Sequence, residues 1–306
     1  MTFVSMWKYF RIPTGSTKSG IFRMPSPFID EMVSRYSNRT AIVAVIGLGY
    51  VGLPLVKALV TARFNVIGFD VDPEKIAALR AGRSYIGHLP AELFLHAINE
   101  GRFDPTTNVA DLGRADAILI CVPTPLTRHR EPDLTFVESS ARAIASTLRP
   151  GQLVVLESTT YPGTTRDVIK PILEQTKLEC GKDFFIAYSP EREDPGNSDY
   201  STAAIPKVVA GDGPEALRLA DALYSTFVSK TVQVPSLEIA EAVKLTENIF
   251  RSVNIALVNE LKVLYAAMGI DVWDVIEAAK TKPFGFMPFY PGPGLAGIVF
   301  RSILFI

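Results

Sequence analysis

Three glycines near the start of the regular part of the chain have a spacing that can hold a phosphate. The segment Gly47–Gly52, Gly-Leu-Gly-Tyr-Val-Gly, follows an apolar run and precedes a stretch of helical length, the context in which this spacing binds dinucleotides. The first glycine permits a tight turn, the second lets a pyrophosphate approach the backbone, and the third lets helix and strand pack closely. The free N–H groups of the helix N-terminus then face the phosphates.

A carboxylate stands where such a site holds the adenosine ribose. Asp70 ends the second apolar run, about 20 residues after the glycines, and can accept hydrogen bonds from the ribose hydroxyls. Because an acid there disfavours a 2′-phosphate, the sequence predicts NAD rather than NADP; the alternative is a glycine-rich turn with an incidental surface aspartate. The predicted cofactor contacts are Gly47, Gly49, Tyr50, Val51, Gly52, Asp70, Lys75, Thr124 and Thr159.

The two threonines in that set follow later strands. Thr124 lies in Cys-Val-Pro-Thr-Pro and Thr159 in Glu-Ser-Thr-Thr-Tyr-Pro-Gly, at strand ends where a doubly wound sheet binds its ligand. Threonine and proline are equally typical of ordinary turns, so the local sequence leaves both interpretations open.

The elements that position these residues alternate regularly from Ala41. Strands are predicted at 41–47, 65–72, 115–125, 152–160, 182–191, 206–211 and 231–235, separated by segments of helical length. This order predicts an α/β fold with a doubly wound parallel sheet, Rossmann-like, over residues 39–235. Residues 236–268 then form an amphipathic helix of about 45 Å, the core of a central helical domain at 236–295 that joins domains or forms a dimer interface.

Residues 1–38 lack a sustained period and are predicted to be an irregular extension. The alternatives are a partner-binding arm, or a start codon placed too far upstream, with Met24 or Met32 as later candidates.

Composition excludes several classes of protein. Lys and Arg number 31 against 32 for Asp and Glu, so no net charge favours nucleic acid or an acidic membrane surface. The two cysteines, Cys121 and Cys180, are too few for a disulfide scaffold and fit a reducing compartment. No apolar run reaches the roughly 18 residues of a spanning helix, and the first residues make a poor secretory signal. We predict a cytoplasmic protein without a metal site.

The order of motifs resembles the UDP-glucose/GDP-mannose dehydrogenases, which oxidise the primary alcohol of a nucleotide sugar to an acid. The resemblance covers residues 41–295. Within it, Ser-Pro-Glu-Arg followed by Asp194–Asn197 is more similar to the branch of the family that oxidises UDP-N-acetylglucosamine. It implies NAD, a UDP-sugar substrate and a homodimer built around the long helix. The segments that carry it are IGLGYVGLPL, FDVD, CVPTP, ESTTYPGTT, YSPERED-PGN, KLTENIFRSVNIALVNEL and FYPGPGL.

The resemblance also assigns catalytic residues by position. Thr159 matches a threonine that holds a catalytic water or carboxylate, and Glu191 matches a glutamate beside the sugar. Lys244 and Asn248 match a Lys-x-x-x-Asn pair that shares one helix face and can stabilise negative charge on an oxygen in a dry site. Without the resemblance, the same pair is typical of the solvated face of a long helix.

The chain departs from the family at the catalytic nucleophile. In the family this is a cysteine, whose thiolate captures the aldehyde before a second oxidation and hydrolysis. It lies in a segment resembling Gly-Gly-His-Cys-Ile-Pro-Ile-Asp-Pro-Phe-Tyr. Here Leu295 is followed by residues 296–306, with no Cys and no Asp. Codons for Ala296 onward, regrouped one base later, can encode Gly-His-Cys-Ile-Pro-Ile-Asp-Pro-Phe-Tyr. We therefore expect an aberrant tail produced by a single-base deletion, and a chain without the nucleophile and the family's distal domain; a divergent natural C-terminus is the alternative.

Two other functions stay open at this stage. A related Rossmann dehydrogenase that acts on hydroxy acids also suits a lysine and an asparagine on a long helix. A non-catalytic NAD-binding remnant differs from the proposed enzyme in activity rather than in ancestry.

Overall fold

The computed structural model describes residues 27–87, 89–129, 131–192 and 204–292, and all structural statements refer to these. The predicted tail at 296–306, the segment Asp194–Asn197 and residues 1–26 of the predicted extension lie outside the described residues.

One sheet of eight strands forms the centre of the described chain, in the order β3-β2-β1-β4-β5-β6-β7-β8. Every neighbouring pair is parallel except β6 and β7, which run antiparallel. The α/β prediction is confirmed, but the parallel arrangement ends at β6, and the edge strand β3 was missed because it contains aspartate and proline. The strands are β1 Ile42–Ile46, β2 Asn65–Phe69, β3 Phe103–Thr106, β4 Ala117–Ile120, β5 Leu153–Leu156, β6 Phe185–Tyr188, β7 Lys207–Gly211 and β8 Thr231–Gln233.

Helices cover both faces of this sheet, because alternate residues of each buried strand point to opposite sides. In β1, Val43 and Val45 belong to one apolar cluster and Ala44 and Ile46 to another. A 3₁₀ turn occupies Val109–Arg114 and a π-helical turn occupies Thr164–Ile169. The α-helices are α1 Pro27–Ser37, α2 Gly52–Thr61, α3 Pro73–Arg80, α4 Ala91–Asn99, α5 Thr135–Ala145, α6 Lys170–Glu174, α7 Pro214–Tyr224, α8 Leu237–Ala267 and α9 Val272–Ala279.

The prediction of an irregular extension is wrong over α1. Ile29, Met32 and Tyr36 are spaced three and four residues apart and are buried at 2%, 3% and 0% exposure. Arg35 adds a bidentate pair to the buried Asp116, at 2.9 and 2.6 Å. The amphipathic period spans only three turns, too short to stand out beside the irregular residues that precede it. Met32 lies within this helix, so a start there would remove residues 27–31, nearly half of its 11 residues.

The predicted long helix is confirmed as α8, which has 31 residues. Its first turn is capped by Ser236, whose Oγ accepts a hydrogen bond from Ile239 N at 3.3 Å. Leu237 and Ala240 are fully buried against the sheet, and Val258 packs further along with Val272 and Ile276 of α9. The helix therefore begins in the core of the sheet domain and ends on a small separate cluster.

Candidate active site

The glycine turn after β1 has the geometry that its spacing predicts. Gly47 has a φ of +90°, and a Cβ there would lie 2.7 Å from the carbonyl oxygen of Cys121. A Cβ on Gly52 would lie 1.9 Å from the carbonyl oxygen of Gly47, so this glycine permits the close packing of α2. A Cβ on Gly49 would meet nothing within 4 Å. The turn is therefore closed on its protein side and open at Gly49, which fits a pyrophosphate group.

Asp70 lies beside this turn and is 5% exposed. Its Oδ2 accepts hydrogen bonds from Leu48 N at 2.8 Å and from Lys75 Nζ at 2.9 Å, and its Oδ1 accepts one from Asp72 N at 3.0 Å. The carboxylate is thus fixed against the loop that would carry the phosphates, and Lys75 contacts it directly. Sequence reasoning missed Tyr85, whose hydroxyl donates to the carbonyl oxygen of Leu48 at 2.7 Å.

Two further predicted cofactor contacts in the turn, Tyr50 and Val51, differ in exposure. Tyr50 is 64% exposed, whereas the Val51 side chain is partly buried against the core. Their roles as cofactor contacts stay predictions.

The loops that follow β4 and β5 are joined at the carboxyl edge of the sheet. Thr124 Oγ1 donates to the carbonyl oxygen of Thr159 at 2.7 Å, and Ser158 Oγ donates to that of Val122 at 2.7 Å. The structure therefore brings the two predicted threonines together, at the edge where parallel sheets bind ligands.

Glu241 attaches the long helix to that edge. Its buried carboxylate accepts hydrogen bonds from Gly163 N at 2.6 Å, Thr165 N at 2.9 Å and Thr165 Oγ1 at 2.7 Å. These donors open the π-helical turn after β5, whose first N–H groups need acceptors. Since Lys244 lies almost one helical turn further on, this contact fixes where its side chain meets the sheet.

Lys244 and Asn248 are buried at 8% and 3% exposure, so they do not form a solvated helix face. Lys244 Nζ donates to the carbonyl oxygen of Glu191, which follows β6. Burial lowers the pKa of Lys244, and the Glu191 carboxylate opposes that shift. Asn248 Nδ2 is buried without a hydrogen-bond partner. The structure thus places an ammonium, an unpaired amide and a glutamate together at the sheet edge.

A buried charge network lies behind Glu191 and was not predicted. Glu157, at the end of β5, is 0% exposed and accepts hydrogen bonds from Lys207 Nζ and Tyr224 OH, each at 2.5 Å. Burial raises the pKa of Glu157, while the Lys207 cation lowers it. Lys207 Nζ also lies 3.9 Å from Glu191 Oε2. A strand-end glutamate in the sequence gives no indication that a lysine 50 residues away will pair with it.

Within the described ranges, no group of three or more His, Cys, Asp or Glu side chains is placed to hold a metal ion. No helix in the described part of the chain is both long and apolar enough to cross a membrane.

The open glycine turn, the fixed carboxylate of Asp70 and the strand order together define a dinucleotide-binding protein of the Rossmann class. Family models refine this assignment. The model of the UDP-glucose/GDP-mannose dehydrogenase NAD binding domain matches residues 41–228, and that of the central domain matches residues 238–302. The chain belongs to the UDP-glucose/GDP-mannose dehydrogenase family and carries its NAD-binding domain, as the sequence predicted.

Curated relatives match most of this chain. UDP-N-acetyl-D-glucosamine 6-dehydrogenase of Pseudomonas aeruginosa is 42% identical over 252 residues, which are 82% of this chain and 58% of that protein. UDP-N-acetyl-D-mannosamine dehydrogenase of Pyrococcus horikoshii is 36% identical over 256 residues, 83% of this chain and 61% of that one. The chain thus spans about three fifths of the length of these relatives.

Solved structures agree with this family assignment. The UDP-D-ManNAc dehydrogenase from Pyrococcus horikoshii superimposes with a TM-score of 0.80 at 34% identity, covering 86% of this chain and 63% of that one. A 3-hydroxyisobutyrate dehydrogenase from Mycobacterium tuberculosis shares only the fold, with a TM-score of 0.56 at 17% identity.

Proposed function

We propose that this chain holds the NAD site and the sugar-oxidising residues of an NAD-dependent UDP-N-acetylhexosamine 6-dehydrogenase. The observation that carries the proposal is the buried contact between Lys244 and Glu191, beside the unpaired amide of Asn248. The relatives at 42% and 36% identity act on UDP-N-acetylhexosamines, which supports this substrate class. The alternative, a hydroxy-acid dehydrogenase, is supported by a likeness of fold alone.

The chain's own side chains have distinct tasks in this proposal. NAD, when bound, supplies the acceptor for the hydride that leaves the alcohol carbon. Lys244 and Asn248 direct N–H groups at the alcohol oxygen, where negative charge develops as its proton leaves. The lowered pKa of Lys244 makes its neutral amine easier to reach, so the amine is able to take up that proton. Glu191 and Thr159 hold the sugar and a water at the sheet edge.

The second oxidation of an alcohol to an acid needs a covalent intermediate, and neither cysteine suits this role. Cys121 is 5% exposed, at the end of β4. Burial raises the pKa of Cys180 to about 12, so its thiol stays protonated and unreactive. We propose that a base deletion near the codon of Leu295 moved the cysteine segment out of frame. The nucleotide sequence tests this directly: codons after 295 that do not spell the motif in the neighbouring frame contradict it.

Cofactor choice is tested by titrating the purified chain with NAD and NADP. Asp70→Ala should weaken NAD binding by roughly 1.5–3 kcal/mol, the contribution of hydrogen bonds to a charged group. Asp104→Ala, which removes a half-exposed acid from the neighbouring strand β3, is the matched control and should leave NAD affinity unchanged. Equal or better affinity of the unsubstituted chain for NADP contradicts the assignment of Asp70.

Catalysis is tested by supplying NAD and UDP-N-acetylglucosamine and counting NADH per sugar. The 306-residue chain should not form the uronic acid, because loss of a nucleophile costs several orders of magnitude in rate. The chain read in the neighbouring frame after Leu295 should form two NADH per acid, and Cys→Ser at the restored position should abolish this. Two NADH per sugar from the unrepaired chain would show that another residue is the nucleophile.

A homodimer through α8 and a cytoplasmic location complete the proposal. Five apolar side chains that share one face of α8 are 43–56% exposed: Ile239, Ile249, Val253, Leu257 and Leu264. Such a stripe is self-complementary with the same stripe of a second copy. Leu261, which is only partly buried, lies within the stripe, whereas Val243 packs against the core. Neither Cys121 nor Cys180 forms a disulfide within the described residues, which supports the cytoplasm.

A further inference from the structure

The buried polar face of α8 continues one turn beyond Asn248. Lys244, Asn248 and Ser252 follow one another at four-residue intervals and are 8%, 3% and 1% exposed. Four residues advance a helix by about 6 Å, so the polar strip formed by these three side chains is about 12 Å long. Its first member contacts Glu191 at the sheet edge.

The other two members of the polar strip lack hydrogen-bond partners. Asn248 Nδ2 and Ser252 Oγ are both inaccessible to solvent and unpaired. A buried donor without a partner loses its bonds to water and gains none in return, and buried polar groups are therefore nearly always bonded to protein or water. Two such groups one helical turn apart, in line with a buried lysine, indicate a surface that is completed by a ligand.

Other hydroxyl side chains in the helices make an internal hydrogen bond that Ser252 lacks. Ser140 of α5 is also buried, at 7% exposure, and its Oγ donates to the carbonyl oxygen of Phe136 at 2.8 Å. Thr246 of α8 donates to the carbonyl oxygen of Ala242 at 2.9 Å. This contact four residues back is the usual internal partner of a helical hydroxyl group. The Ser252 hydroxyl lacks it, so its capacity to donate and to accept is unused inside the described chain.

We propose that Ser252 is a substrate-binding residue whose hydroxyl bonds a ring hydroxyl of the hexose, an inference that rests on the proposed function. Lys244 and Asn248 serve the exocyclic oxygen of the sugar, and Ser252 lies one helical turn further on, at the level of the pyranose ring. A neutral hydroxyl both donates and accepts, which suits a sugar hydroxyl better than a phosphate. Ser252 thus contributes to recognition of the sugar and leaves binding of the nucleotide to other residues.

The first experiment measures thermal unfolding of the free chain for Ser252→Ala and its matched control, Ser140→Ala. Both changes replace a buried helical serine by alanine, so the gain in helix propensity is the same for both. The unfolding midpoint of Ser140→Ala should lie about 2–4 °C below that of Ser252→Ala, because only Ser140 has an internal hydrogen bond to lose. A midpoint for Ser252→Ala at or below that of Ser140→Ala would show an internal partner for Ser252 and overturn the proposal.

The second experiment measures binding by titration, followed by NMR, with UDP-N-acetylglucosamine, N-acetylglucosamine 1-phosphate and UDP as probes. Ser252→Ala should raise the Kd of both sugar-containing probes by about 3- to 10-fold, the range of one neutral hydrogen bond. It should leave the Kd values of UDP and NAD unchanged, and Ser140→Ala should leave all four unchanged.

The outcomes separate this inference from the proposed function. Unchanged sugar affinity in Ser252→Ala, together with weaker sugar binding in Asn248→Ala, overturns the role of Ser252 and leaves the proposed function standing; ordered water would then satisfy the hydroxyl. A wild-type chain that binds NAD but neither sugar-containing probe overturns both.

Discussion

Lys207 Nζ lies 2.5 Å from Glu157 Oε2, and both side chains are excluded from solvent. Glu157 Oε1 accepts a hydrogen bond from the hydroxyl of Tyr224. Lys207 Nζ also lies 3.9 Å from Glu191 Oε2. The charges of Glu157, Lys207, Glu191 and Lys244 therefore alternate from the interior of the sheet to the candidate site. This buried pair joins β5 to β7, next to the point where the sheet changes from parallel to antiparallel pairing.

Breaking the buried pair on one side should destabilise the protein strongly. Lys207→Met leaves the Glu157 carboxylate buried without its cation, and we expect a loss of about 3–5 kcal/mol in the free energy of unfolding. The double variant Glu157→Gln/Lys207→Met removes both charges and should recover most of that loss. Urea unfolding of the wild type, both single variants and the double variant measures the coupling; purely additive losses would contradict a direct interaction.

The lowered pKa of Lys244 predicts a pH dependence of stability. Between that lowered value and the ordinary 10.5, the unfolded chain holds a proton on this amine that the folded chain has released. The free energy of unfolding therefore gains a positive slope with pH in this window, by at most about 1.4 kcal/mol per pH unit.

Lys244→Met removes that contribution, so its stability should rise less between pH 7 and pH 10 than that of the wild type. Urea unfolding across this range measures both slopes, and Lys262→Met, on an exposed part of the same helix, is the control. Equal slopes for Lys244→Met and the wild type would show that the pKa of Lys244 is not lowered.

Helix α1 offers a test of whether the residues before β1 contribute to the fold. Met32 is 3% exposed, and truncating it to alanine should lower the free energy of unfolding by about 2–5 kcal/mol. Glu31→Ala, one residue earlier on the exposed side of the same helix, should change stability by less than about 0.5 kcal/mol. Similar effects from both substitutions would mean that α1 does not pack as described.

Much of this fold follows from local sequence. The apolar runs of β1, β4 and β5 are buried on both faces and therefore stand out without an alternating pattern. The glycine turn was predictable because each glycine meets a steric demand of its own, such as the contact between a Cβ on Gly52 and the backbone of Gly47.

Other features depend on contacts distant in the chain. The antiparallel pairing of β7 is set by its register with β6, in which Tyr188 pairs with Ala210, and nothing within either strand specifies its direction. The pairing of Glu157 with Lys207 and the burial of Ser252 likewise emerge only when the helices are packed on the sheet. The family resemblance predicted catalytic roles for Lys244 and Asn248, whereas only the structure shows that their helix face is buried.

The exposed stripe on α8 predicts how the chain assembles. Leu257 lies near the middle of the stripe and is 54% exposed, and a second copy would bury it against the same helix. Leu257→Glu would place a carboxylate in that apolar contact, where an unpaired charge is strongly unfavourable, so the variant should be monomeric at concentrations at which the wild type is a dimer. Gln233→Glu, which likewise adds one negative charge, at an exposed position of β8, should leave the dimer intact. Light scattering coupled to size exclusion over a range of concentrations measures both, and a wild type that stays monomeric throughout would assign the stripe to a partner other than a second copy.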